Sequence, residues 1–165
     1  MTPNTWTIMI AQYGQVGLTE IALKTFKEMK REGWRPNARA FKYLVLFLCG
    51  KKGRKLEPAI KIFQETMRDG FVQDREIVGI YLSSLCESGK IEDARRCVKS
   101  LLRKGFTKQL GYSLLVKSLD RAGEIEEALL LTEEMEHNGC TIDQFTYGSL
   151  VRALLRNGRL KRCIR

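Results

Sequence analysis

Histidine is nearly absent from this chain: His137 is the only one in 165 residues. The five cysteines, Cys49, Cys86, Cys97, Cys140 and Cys163, contain no CxxC pair. With one histidine they assemble no zinc-type ligand set, so neither a metal nor a cofactor is expected. The same scarcity leaves no Cys–His or Ser–His nucleophile pair, and a non-enzymatic chain without a small-molecule substrate is expected. No apolar run approaches the roughly 18 residues that a membrane span requires, so a soluble chain with no membrane partner is expected. The opening stretch MTPNTWTIMI has neither a basic segment followed by an apolar run nor the Arg-rich character of a transit peptide, which puts any targeting address outside this chain. Acidic residues are outnumbered, 19 against 29 Lys and Arg, and the resulting +10 favours nucleic acid or an anionic surface as partner. An odd number of cysteines without close pairs fits a reducing compartment, with Cys49 and Cys86 as small core residues.

What the chain does have is repetition. CESGKIEDA at residues 86–94 returns as DRAGEIEEA at 120–128. Aligned on that phrase, Gly17, Gly53, Gly89, Gly123 and Gly158 fall 36, 36, 34 and 35 residues apart. Each stands shortly before a small residue: Ala22, Ala59, Ala94, Ala128 and Cys163. A second series, Gly33, Gly70, Gly105 and Gly139, follows the first at sixteen or seventeen residues. A fixed period in this range marks a solenoid. Between the two series the apolar residues return at threes and fours, as with Ile125, Ala128, Leu129, Thr132 and Met135, which predicts an amphipathic helix. A second apolar run, as in YSLLVKSLDRAG, precedes each glycine of the first series. Each unit therefore reads helix, glycine turn, helix, glycine turn. The glycines suit C-terminal caps, where positive φ costs them nothing, and the small residues suit the close approach of two helices in a hairpin.

The expected boundaries are repeats at 3–37, 38–74, 75–108 and 109–143, with a partial repeat at 144–165, all in one array over 1–165. Neither end carries an atypical capping repeat, so the chain reads as an excerpt of something longer. In the second repeat LCGKKGRKLEPA is two residues longer than its counterparts, and Pro58 is expected near the start of a helix. Its basic insertion, Lys51 to Lys55, is either a solvated turn or an RNA contact.

Two families share this period, the tetratricopeptide and pentatricopeptide repeats. The first-helix stretches WTIMI, FKYLV and YSLLV lack the Leu-Gly step of the former. The stretch NTWTIMIAQYGQVGLTEIALKTFKEMKREGWRPN resembles a pentatricopeptide repeat through Gly17, Ala22, Phe26, Met29, Gly33, Pro36 and Asn37, and repeats four and five fit nearly as well. The resemblance implies an all-α, right-handed α-solenoid of antiparallel helix hairpins that binds single-stranded RNA at one base per repeat.

In such proteins the first helices line a groove, and two side chains per repeat meet a base edge. Carried over, the reading pairs are Thr7 with Asn37, Lys42 with Asp74, Gly79 with Lys108, and Ser113 with Asp143; in the partial repeat only Gly148 is placed. Hydroxyl, amide and carboxylate groups have the donors and acceptors to read an unstacked base. By the family's pattern the first pair resembles an adenine reader and the fourth a guanine reader, whereas the Lys42 and Gly79 pairs match no standard base and either hold phosphate or read nothing. The alternative for Thr7, Asn37 and Ser113 is a helix start or turn residue that satisfies backbone groups. The base-stacking position is Leu110 in repeat four and Phe145 in repeat five, with packing as the alternative for Leu110; Asn4, Arg39 and Glu76 suit it poorly. Lys51, Lys52, Arg121 and Arg156, near the ends of first helices, are expected to contact phosphate or to be solvated surface charges.

Charge is uneven along the chain: residues 144–165 hold six basic residues and no acid, while 124–143 hold seven acids and no Lys or Arg. Second helices thus read as the outer, acidic layer. The resemblance implies a mitochondrial or chloroplast protein acting in RNA processing, splicing, stability or translation. A structural part in an organellar ribonucleoprotein such as a ribosome, with protein partners or self-association, is the alternative.

Overall fold

The computed structural model describes residues 2–50, 54–71 and 74–156. Among them it shows nine helices and no strand: α1 (Pro3–Gln15), α2 (Thr19–Arg31), α3 (Ala38–Cys49), α4 (Leu56–Arg68), α5 (Arg75–Glu87), α6 (Ile91–Arg103), α7 (Lys108–Arg121), α8 (Ile125–His137) and α9 (Gln144–Arg156). The chain divides into two compact units, residues 1–81 and 82–165, with the boundary inside α5. In the first unit α1 packs on α2, α3 on α4, and α1 on α3; in the second α7 packs on α8 and on α9. α1 with α2, α3 with α4 and α7 with α8 pack as hairpins, the odd-numbered helix first in each, as the two glycine series predict.

Seven of the nine helices, all but α3 and α9, stop at glycines of the two series. All seven that are described, Gly17, Gly33, Gly70, Gly89, Gly105, Gly123 and Gly139, have φ between 73° and 107°. In the first turn the N–H of Leu18 donates to the carbonyl of Tyr13 at 2.9 Å and that of Gly17 to Gly14 at 3.1 Å, which satisfies carbonyls that the ended helix leaves open. Gly53 and Gly158 lie outside the described residues. Pro58 sits in the first turn of α4, where its missing N–H interrupts no helical bond.

Each hairpin closes on a small residue. Ala22, Ala59, Ala94 and Ala128 are fully buried; Cys163 lies outside the described residues. Around them lie Ile10, Met29, Phe41, Leu44 and Leu48 in the first unit and Leu101, Leu115, Leu119 and Leu131 in the second. Phe63 and Tyr81 stack with ring centroids 4.0 Å apart. Cys49, Cys86, Cys97 and Cys140 are buried and outside any disulfide, and burial pushes Cys86 and Cys97 up to about 12, so those two stay neutral and pack as apolar groups. Second helices are joined to one another by charge: Lys30 reaches Glu65 from α2 to α4, and Arg95 on α6 pairs with Glu127 at 3.2 Å and Glu134 at 3.6 Å on α8.

One close approach between first helices is set by a glycine that the repeat pattern does not single out. A Cβ added to Gly14 on α1 would lie 1.8 Å from Cδ2 of Phe47 on α3. Relief of the clash requires the half-buried Phe47 ring to shift out of its parallel arrangement with Tyr43, at 9° and 6.1 Å between centroids. Gly14→Ala gains about 0.5–1 kcal/mol of helix propensity. Displacing a packed ring costs about 1–3 kcal/mol, so the clash wins. Thermal denaturation of Gly14→Ala should show a lowered midpoint, and the same change made in a Phe47→Ala background should lower it little further.

Candidate RNA-binding face

The expected reading residues are placed by helix starts. Asn37 is the N-cap of α3, and its Oδ1 accepts from the N–H of Ala40 at 2.9 Å. Asp74 does the same for Ile77 at 2.9 Å and Asp143 for Thr146 at 2.7 Å. These residues therefore serve backbone satisfaction, the alternative raised for Asn37 from sequence. The capping role occupies only part of each side chain, since a carboxylate or amide oxygen has two lone pairs.

The remaining capacity is turned toward the preceding first helix. Thr7, 4% exposed on α1, donates its hydroxyl to the Pro3 carbonyl at 2.9 Å and lies 3.3 Å from Asn37 Oδ1, so the first expected pair is in direct contact. Lys42 Nζ on α3 is 3.2 Å from Asp74 Oδ2, so the second pair also meets, as an ion pair that is half exposed on both sides. The other two pairs do not meet in this way. Gly79 lies half-buried within α5, and Lys108 is the first residue of α7, one past its N-cap Thr107, whose side chain accepts from Leu110 at 3.1 Å. Ser113 accepts from Gln109 Nε2 at 3.1 Å, while Asp143 Oδ2 is paired at 3.2 Å with Lys117, one helical turn beyond Ser113. Gln109 also holds the turn that leads to Asp143, accepting from the N–H of Thr141 at 2.8 Å.

These bonds set the charge of the two aspartates. At Asp74, partial desolvation works toward protonation but is outweighed by the Ile77 N–H and the Lys42 ammonium, which hold the carboxyl below its ordinary value. At Asp143 the Thr146 N–H is the leading cause of a lowered value, and Lys117 adds to it. Because the folded values are depressed, the stability these groups contribute is fully present above the unfolded value of about 3.9. It is lost as pH falls through the lower folded values. Urea midpoints should therefore drop between pH 5 and pH 3, and Asp74→Asn with Asp143→Asn, which keeps the caps, should flatten that drop.

A cleft of about 400 Å³ opens between α1 and α3. Thr7, Ala11 and Ile8 line it with Asn4, Gln12 and Gln15 from α1, and Arg39 and Tyr43 face them from α3. The reading position of repeat one and the stacking positions of repeats one and two therefore share one hollow, sized for a small planar ligand. Elsewhere, Phe145 is 79% exposed on α9, Leu110 is half-buried on α7, and Gly148 is half-buried on α9. Arg121 and Arg156 are the exposed last residues of α7 and α9, and Lys51 and Lys52 lie outside the described residues.

Sequence models of known families match this layout: that of the PPR repeat family covers residues 3–50, and that of the PPR repeat covers 78–106, 112–140 and 145–165. The chain belongs to the pentatricopeptide repeat family. A pentatricopeptide repeat-containing protein of Arabidopsis thaliana, named as mitochondrial, is 47% identical over 92% of this chain and 15% of its own length. The small ribosomal subunit protein mL103 of the same plant is 28% identical over 86% of this chain and 35% of its own length. The chain thus spans well under half of each of these relatives. Among solved pentatricopeptide repeat structures, PPR10 from maize, determined with an 18-nt psaJ RNA element, superposes with a TM-score of 0.64 at 21% identity, covering 98% of this chain and 27% of that one. That likeness establishes the all-α helical solenoid.

Within this pentatricopeptide repeat array, four contributors to the face escaped the sequence reading. Lys117 and Gln109 stand four residues either side of Ser113 on α7, a spacing that puts all three on one helical face and was the available signal. Tyr43 and Gly14 had none, since their importance comes from the packing of α1 on α3.

Proposed function

We propose that this chain binds single-stranded RNA through the face formed by its first helices, with residues 1–165 acting as one array, without catalysis of its own, in a mitochondrion or chloroplast. The contact between Thr7 and Asn37 carries this reading. Two residues 30 positions apart, chosen from the family's pattern, lie 3.3 Å apart, with Thr7 lining a cleft between consecutive first helices. The +10 charge supports an anionic partner. The mitochondrial relative and the RNA bound to PPR10 support the compartment and the ligand.

In this reading Thr7 with Asn37 reads adenine and Ser113 with Asp143 reads guanine. Leu110 and Phe145 cover bases, and Lys51, Lys52, Arg121 and Arg156 neutralise phosphate. Lys42 with Asp74 and Gly79 with Lys108 contribute contacts without a defined base, and Gly148 offers backbone alone. Exchanging Ser113 for Asn while Asp143 is kept should move the preference at that repeat from guanine toward uracil. Anisotropy with RNAs differing at that one base checks this, and an unchanged profile removes the base-reading assignment.

A second reading, a structural part of an organellar ribosome with protein partners, is favoured by one observation. Similarity to mL103 coincides with two repeats whose reading positions match no standard base, Lys42 being already bound to Asp74. That reading requires no single-base selectivity.

A further inference from the structure

The first cleft is walled by two side chains that the reading positions do not account for. Ile8 follows Thr7 on α1, and Tyr43 follows Lys42 at the matching position of α3. Both line the cleft, and Ile8 is left 57% exposed there. An isoleucine in water beside amides and a guanidinium adds little to the fold, but it makes one wall of a slot for a flat apolar surface. Tyr43 makes the other. Its ring is set in advance by the parallel ring of Phe47, which in turn is pressed against the bare backbone of Gly14. A platform already held in place loses little freedom when a ligand stacks on it. Asn4 and Arg39, at the family's stacking position, offer an amide and a charge, and among the described residues Arg39 is the only charged group lining the cleft.

We propose that the base seated over Thr7 and Asn37 is sandwiched between Ile8 and Tyr43, with Tyr43 as the stacking platform, and that Arg39 holds a neighbouring phosphate instead of covering the base. The ligand is an unpaired base of single-stranded RNA, so this inference rests on the RNA-binding reading. It relocates the stacking contact of the first cleft by one turn of α3, from residue 39 to residue 43. Aromatic rings suit this task on any base, because every base has a π-face.

The test uses the whole chain and a short RNA whose first base is 2-aminopurine, which loses fluorescence when stacked, with an all-natural RNA of the same length for affinity. Binding by the unaltered protein should quench the probe. Tyr43→Phe should keep both quenching and affinity. Tyr43→Ala should lose the quenching and weaken binding roughly 5- to 150-fold. Its salt dependence should be unchanged, whereas Arg39→Ala should keep the quenching and make the salt slope shallower by about 0.7, one phosphate on a single strand. The quenching in the unaltered protein needs no variant, and Tyr43→Leu, checked by circular dichroism, stands in if Tyr43→Ala does not fold. A bright probe on bound RNA, or quenching lost with Arg39→Ala and kept with Tyr43→Ala, overturns the assignment. No binding of any RNA by the unaltered protein instead overturns the RNA-binding reading on which it rests.

Discussion

Phe41→Ala is expected to lower the unfolding free energy by about 3–5 kcal/mol, the usual cost of removing a fully enclosed phenylalanine. Phe41 is fully buried on α3. Its ring meets Phe26 of α2 edge-on at 5.5 Å and 66°, and Phe71, in the turn after α4, at 5.5 Å and 48°. One side chain thus joins the second helix of one repeat, the first helix of the next and the turn that closes it. Edge-to-face pairs add about 0.5–1.5 kcal/mol beyond the area they bury. Phe26→Ala combined with Phe41→Ala should therefore cost less than the sum of the two changes, because both remove the same contact. Urea denaturation followed by circular dichroism checks both statements. A loss below about 1 kcal/mol for Phe41→Ala would mean that the first two repeats are not held together through this ring. Total stability of a domain this size is only about 5–15 kcal/mol, so the effect is large in proportion.

The repeat and its hairpins were legible because they depend on local chemistry. Glycine with positive φ, a small residue at each hairpin crossing and an apolar stripe at threes and fours are all written within a few residues of where they act. Gly17 and Ala22 are of this kind: one ends α1, the other is sealed inside the hairpin. The contact between Thr7 and Asn37 was legible only through the family's pattern, since nothing in the residues between them says that a cap and a first-helix hydroxyl meet.

What could not be read depends on where long side chains reach and on single-residue changes in helix length. The glycine spacing puts the end of the third repeat at Lys108. α7 is 14 residues long where α5 and α9 have 13, and the capping residue is Thr107. At the fourth repeat, the sequence pairs Ser113 with Asp143, yet the group that touches Asp143 is Lys117, whose flexible stem crosses a full turn. The same carboxylate chemistry at Asp74 is met by Lys42 at the reading position itself. A lysine at the reading position therefore finds a partner within the protein.

Both aspartates and Asn37 combine two tasks that sequence reasoning set against each other. In each aspartate Oδ1 caps the helix and Oδ2 faces a lysine of the preceding first helix, whereas in Asn37 the single Oδ1 serves both the Ala40 N–H and Thr7. Helix initiation fixes the orientation of these side chains, and a fixed donor–acceptor pattern discriminates between bases better than a mobile one.

The central claim is that Thr7 with Asn37 and Ser113 with Asp143 read bases, and the most direct measurement is fluorescence anisotropy with two short RNAs, ANNG and the swapped GNNA, at low and at higher salt. Two wrong bases at roughly 1–3 kcal/mol each correspond to a preference of roughly 30-fold or more for ANNG. Raising the salt should weaken both RNAs together, because phosphate contacts are screened whatever the bases are. A preference for ANNG that persists at higher salt is the predicted result. Equal binding of the two RNAs that collapses with salt would contradict it, leaving the +10 charge to hold RNA without reading it.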